Sequence, residues 1–165
     1  MALDDSLIDL GEISLASLAI PGASIAVSSS IYLPTAQLGS VPMWLVVTCT
    51  QTATATGSAA CRFALSAATA DDAATLVAGY DLWIYGNMDF AGIFPKGVPY
   101  QSIIAGETLF QVPVGSSPLL TSTFRYLALN IMQVTAGAAV TAGKVKAYLT
   151  SAPPNGGLLF PNAVV

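Results

Sequence analysis

The sequence predicts an all-β protein: an antiparallel β-sandwich of jelly-roll topology with extended N- and C-terminal arms. Three observations carry this expectation. Short runs of alternating apolar and polar residues recur along most of the chain, which is the signature of half-buried strands. Clusters of Gly, Pro, Ser, Asn and Asp separate these runs at spacings of about 8 to 20 residues. No stretch keeps its apolar residues at the helical spacing over enough turns to bury one helix face. A chain of 165 residues holds one domain, and a sandwich of this length needs no second core. The expected division is an N-terminal arm over 1–20, a sandwich over 21–152 and a C-terminal tail over 153–165.

The elements follow in order. In MALDDSLIDLGEISLASLAI, Gly11 and the Ser/Ala alternation argue against an amphipathic helix and for an arm that includes a short strand. Pro21-Gly22 is a turn before a strand at Ala23–Val27, and IYLP pairs at a sheet edge, where Pro34 is tolerated. MWLVVTCT, Met43 to Thr50, is dense in β-branched and aromatic residues, and ACRFALSA, Ala60 to Ala67, is its expected hairpin partner across the polar loop QTATATGSA. That pairing sets Cys49 opposite Cys61 on the face of Leu45, Val47, Phe63 and Leu65. Both thiols are then small core hydrophobes rather than metal ligands or a disulfide. Asp71 to Ala74 suggests one helical turn before Gly79. An aromatic stretch beginning at Asp81 reads as strands joined by shaped loops. A strand at Glu107–Val112 is ended by Pro113 and by Gly115 to Pro118, and RYLALNIMQ, VTAGAAVTAG and KVKAYLT then read as a closing hairpin between Arg125 and Leu149.

Charge is the most informative part of the composition. Residues of apolar type make up 54% of the chain and charged ones only 8%, against roughly 25% charged in an ordinary soluble protein. A folded monomer of this mass exposes roughly 7,600 Å². Nine acidic and five basic side chains are few to cover it, which points to burial of part of that surface in an assembly. The net charge of −4 and scattered basic residues exclude a phosphate-tracking surface, so no direct nucleic-acid contact is expected. No apolar run is long enough for a membrane helix, and Asp4, Asp5 and Asp9 stand where a secretory leader would carry Lys or Arg. Synthesis in a cytoplasm is the expectation.

The residues for catalysis are thin. The chain has no histidine, which removes the commonest general base and the usual nucleophilic triads. Two cysteines twelve apart with no histidine make half a zinc site at best. No phosphate-binding glycine loop and no G-x-S-x-G elbow occur. Asp81 and Asp89, with Asn87, could form an acid pair or a calcium site, and Trp83, Tyr85 and Asp89 could form a carbohydrate platform, but Asp beside Gly and Asn is first a turn former and Trp in a strand is first core. No enzyme, cofactor or metal is expected.

The opening MALDDSLIDL, the strand MWLVVTCTQTAT and above all FRYLALNIMQVTAGAAVTAGKVKAYLTSAP resemble the tailed-phage capsid cement proteins, the small jelly-roll head-decoration family of the Bordetella-podophage type. The resemblance spans about residues 1 to 152. It implies a non-enzymatic virion protein on the outer surface of an icosahedral head, homo-oligomeric as a dimer or trimer, that bridges subunits of the major capsid protein. On that reading Leu3, Leu7, Ile8 and Leu10 of the arm and Leu158, Leu159 and Phe160 of the tail grip neighbours. The outer face of the closing hairpin, with Tyr126, Ala128, Asn130, Met132 and Tyr148, is too apolar for open water and too polar for a sealed core, as an interface between copies requires. Lys144 and Lys146 are either a solvated, edge-protecting pair or partners for acidic neighbours. The alternative function is a carbohydrate-binding sandwich for adhesion.

Overall fold

β-branched and aromatic residues that alternate with small or polar ones suit a pleated strand with one buried face. The computed structural model of the chain describes residues 8–17, 25–27, 29–32, 43–56, 60–72, 80–85, 98–99, 103–114, 124–133 and 140–151. Among these the strands are β1 (Ile8–Ser14), β2 (Ile25–Val27), β3 (Ile31–Tyr32), β4 (Met43–Ala55), β5 (Ala60–Ala68), β6 (Tyr80–Tyr85), β7 (Val98–Pro99), β8 (Thr108–Val114), β9 (Tyr126–Gln133) and β10 (Val140–Thr150). The described residues contain no α-helix, only a turn of 3-10 helix at Leu15–Ser17.

The strands form two antiparallel sheets packed face to face. One has four strands in the order β1-β10-β4-β8, and the other is built on β2-β9-β5-β6, with β3 added on β9 and β7 on β5. The first sheet contributes Leu45, Val47, Val145, Leu149 and Phe110 to the core, and the second contributes Phe63, Leu65, Leu127, Leu129 and Ile131, all buried. Phe63 and Phe110 meet across the interior edge to face, with ring centroids 5.3 Å apart and planes inclined by 69°. Cys49 and Cys61 are both buried in this core and unbonded to each other, as small hydrophobes. Burial raises the Cys49 thiol to about 11.

Both expected hairpins are absent. β4 lies between β10 and β8, with Cys49 registered on Val145, while β5 lies in the other sheet between β6 and β9, with Cys61 registered on Gln133. β9 and β10, the expected closing hairpin, also part company: Phe63 pairs with Ile131 in one sheet, and Leu149 pairs with Leu45 in the other. The cause is that alternation encodes which face is apolar, and not which strand lies alongside. Two apolar faces are buried equally well when they oppose each other across a sandwich, roughly 10 Å apart. The faces themselves are as expected, with Leu127, Leu129 and Ile131 inward on β9 and Val145, Ala147 and Leu149 inward on β10.

Two further differences concern single elements. Pro113 does not end a strand; it is registered on Trp44 inside β8, at the sheet edge, where a missing donor costs no ladder bond. The short strand expected within the arm is β1, Ile8–Ser14, the outer strand of the four-stranded sheet, and its difference lies in phase. The register shifts between Asp9 and Gly11, and Gly11 takes φ of +86°, in the left-handed region that favours glycine. This bulge moves the alternation by one residue, so Leu10 and Ile13 both enter the core. Of the expected helical turn, Asp71 and Asp72 form a bend and the remainder lies outside the described residues.

Candidate functional site

The residues expected to act together are divided between opposite outer faces of the sandwich. On the four-stranded sheet, β10 carries Lys144, Lys146 and Tyr148 outward, flanked by β1 and β4. Lys144 Nζ lies 2.8 Å from Glu12 Oε1, and Lys146 Nζ lies 3.1 Å from Asp9 Oδ2. The two lysines therefore have acidic neighbours, and those neighbours belong to the same chain. Thr50 Oγ1 also donates to Glu12 Oε2 at 2.8 Å, and the Gly11 amide donates to Asp9 Oδ1 at 2.8 Å. That amide, followed by Lys146, holds the Asp9 carboxyl below its ordinary range; Lys144 and then Thr50 do the same for Glu12. Both pairs are solvent-exposed and screened by salt, so they fix the pairing of β1 with β10 more than they stabilise it.

Beside this charged ladder the face turns apolar. Asp9, Tyr148, Val46 and Gln111 follow one another across the four strands, and Val46 is fully buried between its neighbours. Tyr148 is half-buried, and its phenol is raised by burial. Gln111 is fully buried, and neither end of its amide has a hydrogen-bond partner among the described residues.

The six-stranded sheet has a different outer face. Across β5 and β9 the outward pairs are Arg62 with Met132, Ala64 with Asn130, Ser66 with Ala128 and Ala68 with Tyr126. Small residues fill its centre, where Asn130 Nδ2 donates to Ser66 Oγ at 3.0 Å. Tyr126 and Met132 sit half-buried toward its two ends. Tyr32, on β3, stacks at a tilt on Tyr126 with centroids 5.4 Å apart and accepts a 3.0 Å hydrogen bond from Arg125 Nη1.

Of the remaining candidates, Ile8 is half-buried against the core. Leu10 is fully buried, because the bulge at Gly11 turns it inward; it is a core residue and not a grip on a neighbour. Leu3, Leu7, Leu158, Leu159 and Phe160 lie outside the described residues, as do Asn87 and Asp89. β6 registers Trp83 on Leu65 and Tyr85 on Phe63, two residues of the core. No group of three metal-ligating side chains occurs among the described residues.

Sequence reasoning missed Asp9 and Glu12 as counter-ions and Tyr32 and Arg125 as a pair. The first had a legible signal: two acids in IDLGEIS face two lysines in KVK once the strands are antiparallel. The second had none, since 93 positions separate its members.

These faces and their packing define a two-sheet antiparallel β-sandwich with two dissimilar outer surfaces. A scan against protein-family models and a search of curated proteins found no match for the chain.

Proposed function

We propose that the chain is a structural virion protein: a capsid cement of jelly-roll topology that binds the outer surface of an icosahedral phage head. There it stabilises contacts between subunits of the major capsid protein, as a homo-oligomer, without enzymatic activity, cofactor, direct nucleic-acid contact or membrane attachment. The observation that carries this reading is the strand order β1-β10-β4-β8 against β2-β9-β5-β6. The chain steps from sheet to sheet at β1 to β2, β3 to β4, β4 to β5, β7 to β8, β8 to β9 and β9 to β10. Such interleaving supports a jelly roll, the double Greek key found in viral capsid and lectin domains.

Fold alone does not imply function. The surface adds the second support. Half-buried aromatic and Met side chains lie on both outer faces, Tyr148 on one and Tyr126 and Met132 on the other. A cement must touch two neighbours at once, and a sandwich with an adhesive residue set on each side meets that need. The low charge of the chain reduces the desolvation cost of those contacts. Each contact need only reach the usual interface size of roughly 1,200 to 2,000 Å², because repetition over a shell multiplies its effect.

The test is reconstitution. Purified phage heads made without this chain are incubated with the purified protein, and occupancy and the temperature of DNA release are measured. Saturable binding with a raised release temperature is expected. Absence of binding, or binding to isolated glycans in its place, refutes the reading.

A further inference from the structure

Resting on the cement reading, we infer that the Arg125–Tyr32–Tyr126 cluster on the outer face of the six-stranded sheet takes a carboxylate of the shell protein. The two lysines of the opposite face are matched by Glu12 and Asp9. The two arginines of this face are not: Arg62 and Arg125 have no ion pair among the described residues. Among the described residues Arg62 Nη2 donates to Met132 Sδ, at 3.8 Å. Among the described residues Arg125 Nη1 donates to the Tyr32 phenol, and its Nε is buried without a hydrogen-bond partner. A guanidinium has five donors in a planar fork that matches a carboxylate in two parallel bonds. A phenol and a thioether leave most of that capacity unused.

The surroundings fix the fork for such a contact. The Arg125 backbone amide is tied to Ala68 O at 3.1 Å, and the phenol that accepts from its Nη1 belongs to the tilted Tyr32–Tyr126 pair. Tyr32 is 49% exposed, the more exposed of the two large apolar side chains that stand out among the described residues. Arg and Tyr together are the residue types that dominate binding energy at protein interfaces. The occupant is a protein carboxylate and not a polyanion, because a net charge of −4 repels a phosphate backbone but hardly affects one acid on a near-neutral surface.

The experiment compares the wild-type chain with Arg125→Ala, Arg125→Lys and Tyr32→Ala, and with Thr141→Ala on the opposite sheet, for binding to heads made without the chain. Circular dichroism establishes that each variant is folded. Expected are roughly thirtyfold weaker binding for Arg125→Ala, partial recovery for Arg125→Lys, a clear loss for the exposed Tyr32→Ala and no change for Thr141→Ala. Wild-type binding retained within twofold by both Arg125→Ala and Tyr32→Ala overturns the carboxylate contact and leaves the cement reading standing. Failure of the wild-type chain to bind heads overturns both, and binding of the wild-type chain to double-stranded DNA overturns the choice of a protein carboxylate.

Discussion

The contact between Phe63 and Phe110 is the most direct test of how the two sheets meet. Both rings are fully buried, one on β5 and one on β8, and they approach edge to face at 5.3 Å. Truncating either to alanine removes on the order of 150 to 200 Å² of buried apolar surface, about 4 to 5 kcal/mol at 25 cal/mol per Å². Measured Phe→Ala costs of about 3 to 5 kcal/mol in cores agree. With a urea slope of about 2 kcal/mol per molar, each single variant loses roughly 2 M in its unfolding midpoint. The double variant loses less than the sum. Once one ring is gone the other has already lost its partner, and the edge-to-face term of about 0.5 to 1.5 kcal/mol is counted twice in the singles. Urea unfolding followed by tryptophan fluorescence and circular dichroism measures all four corners of the cycle. Additivity within about 0.3 kcal/mol would refute the packing of β5 over β8.

Three other perturbations probe separate features. Gly143 has φ of +130°, and a Cβ there would lie 2.9 Å from the Ala53 backbone and 3.0 Å from Leu15 Cδ1, so Gly143→Ala is expected to cost about 1 to 3 kcal/mol or more. An unchanged melting temperature would contradict it. Gln111→Met replaces a buried amide that has no partner among the described residues with an apolar chain of similar volume and is expected to stabilise by about 1 to 3 kcal/mol. A lower melting temperature would mean that the amide is satisfied. The thiol of Cys49 is raised from 9.0 to about 11, so the folded state holds its proton more tightly than the unfolded state does. Its contribution is complete below pH 9 and is lost as pH rises toward 11, by at most about 2.7 kcal/mol at 1.36 kcal/mol per pH unit. Cys49→Ala should flatten that alkaline slope, and an identical slope in the variant would assign it to other groups.

The strand phases were legible because side-chain direction has a period of two in a strand: Leu127, Leu129, Ile131, Val145, Ala147 and Leu149 all lie inward, as their alternation requires. The break in phase at Leu10 and Ile13 was missed: in the sequence Gly11 argues only against a helix, and it is the bulge there that turns Leu10 inward. Partners were not legible. A strand's backbone presents the same donors and acceptors to any antiparallel neighbour, so register and adjacency come from the packing of whole faces. Interface candidates from one apparent hairpin, Tyr126 and Met132 with Tyr148, were therefore separated onto opposite sides. The cluster of Arg125 and Tyr32 arose only where β3 was laid on the end of β9.

The amino-acid sequence by itself determined the all-β character of this protein, the inward face of its longer strands, the burial of both cysteines as apolar residues and the scarcity of charge. Each follows from local periodicity or composition, which act along the chain. Only the tertiary structure decided which strands are neighbours, that two expected hairpins are instead pairs of strands in opposing sheets, and that Lys144 and Lys146 are matched by acids while, among the described residues, Arg62 and Arg125 are not. Those outcomes depend on contacts between residues far apart in sequence, whose energies are set by how two whole apolar faces close on each other.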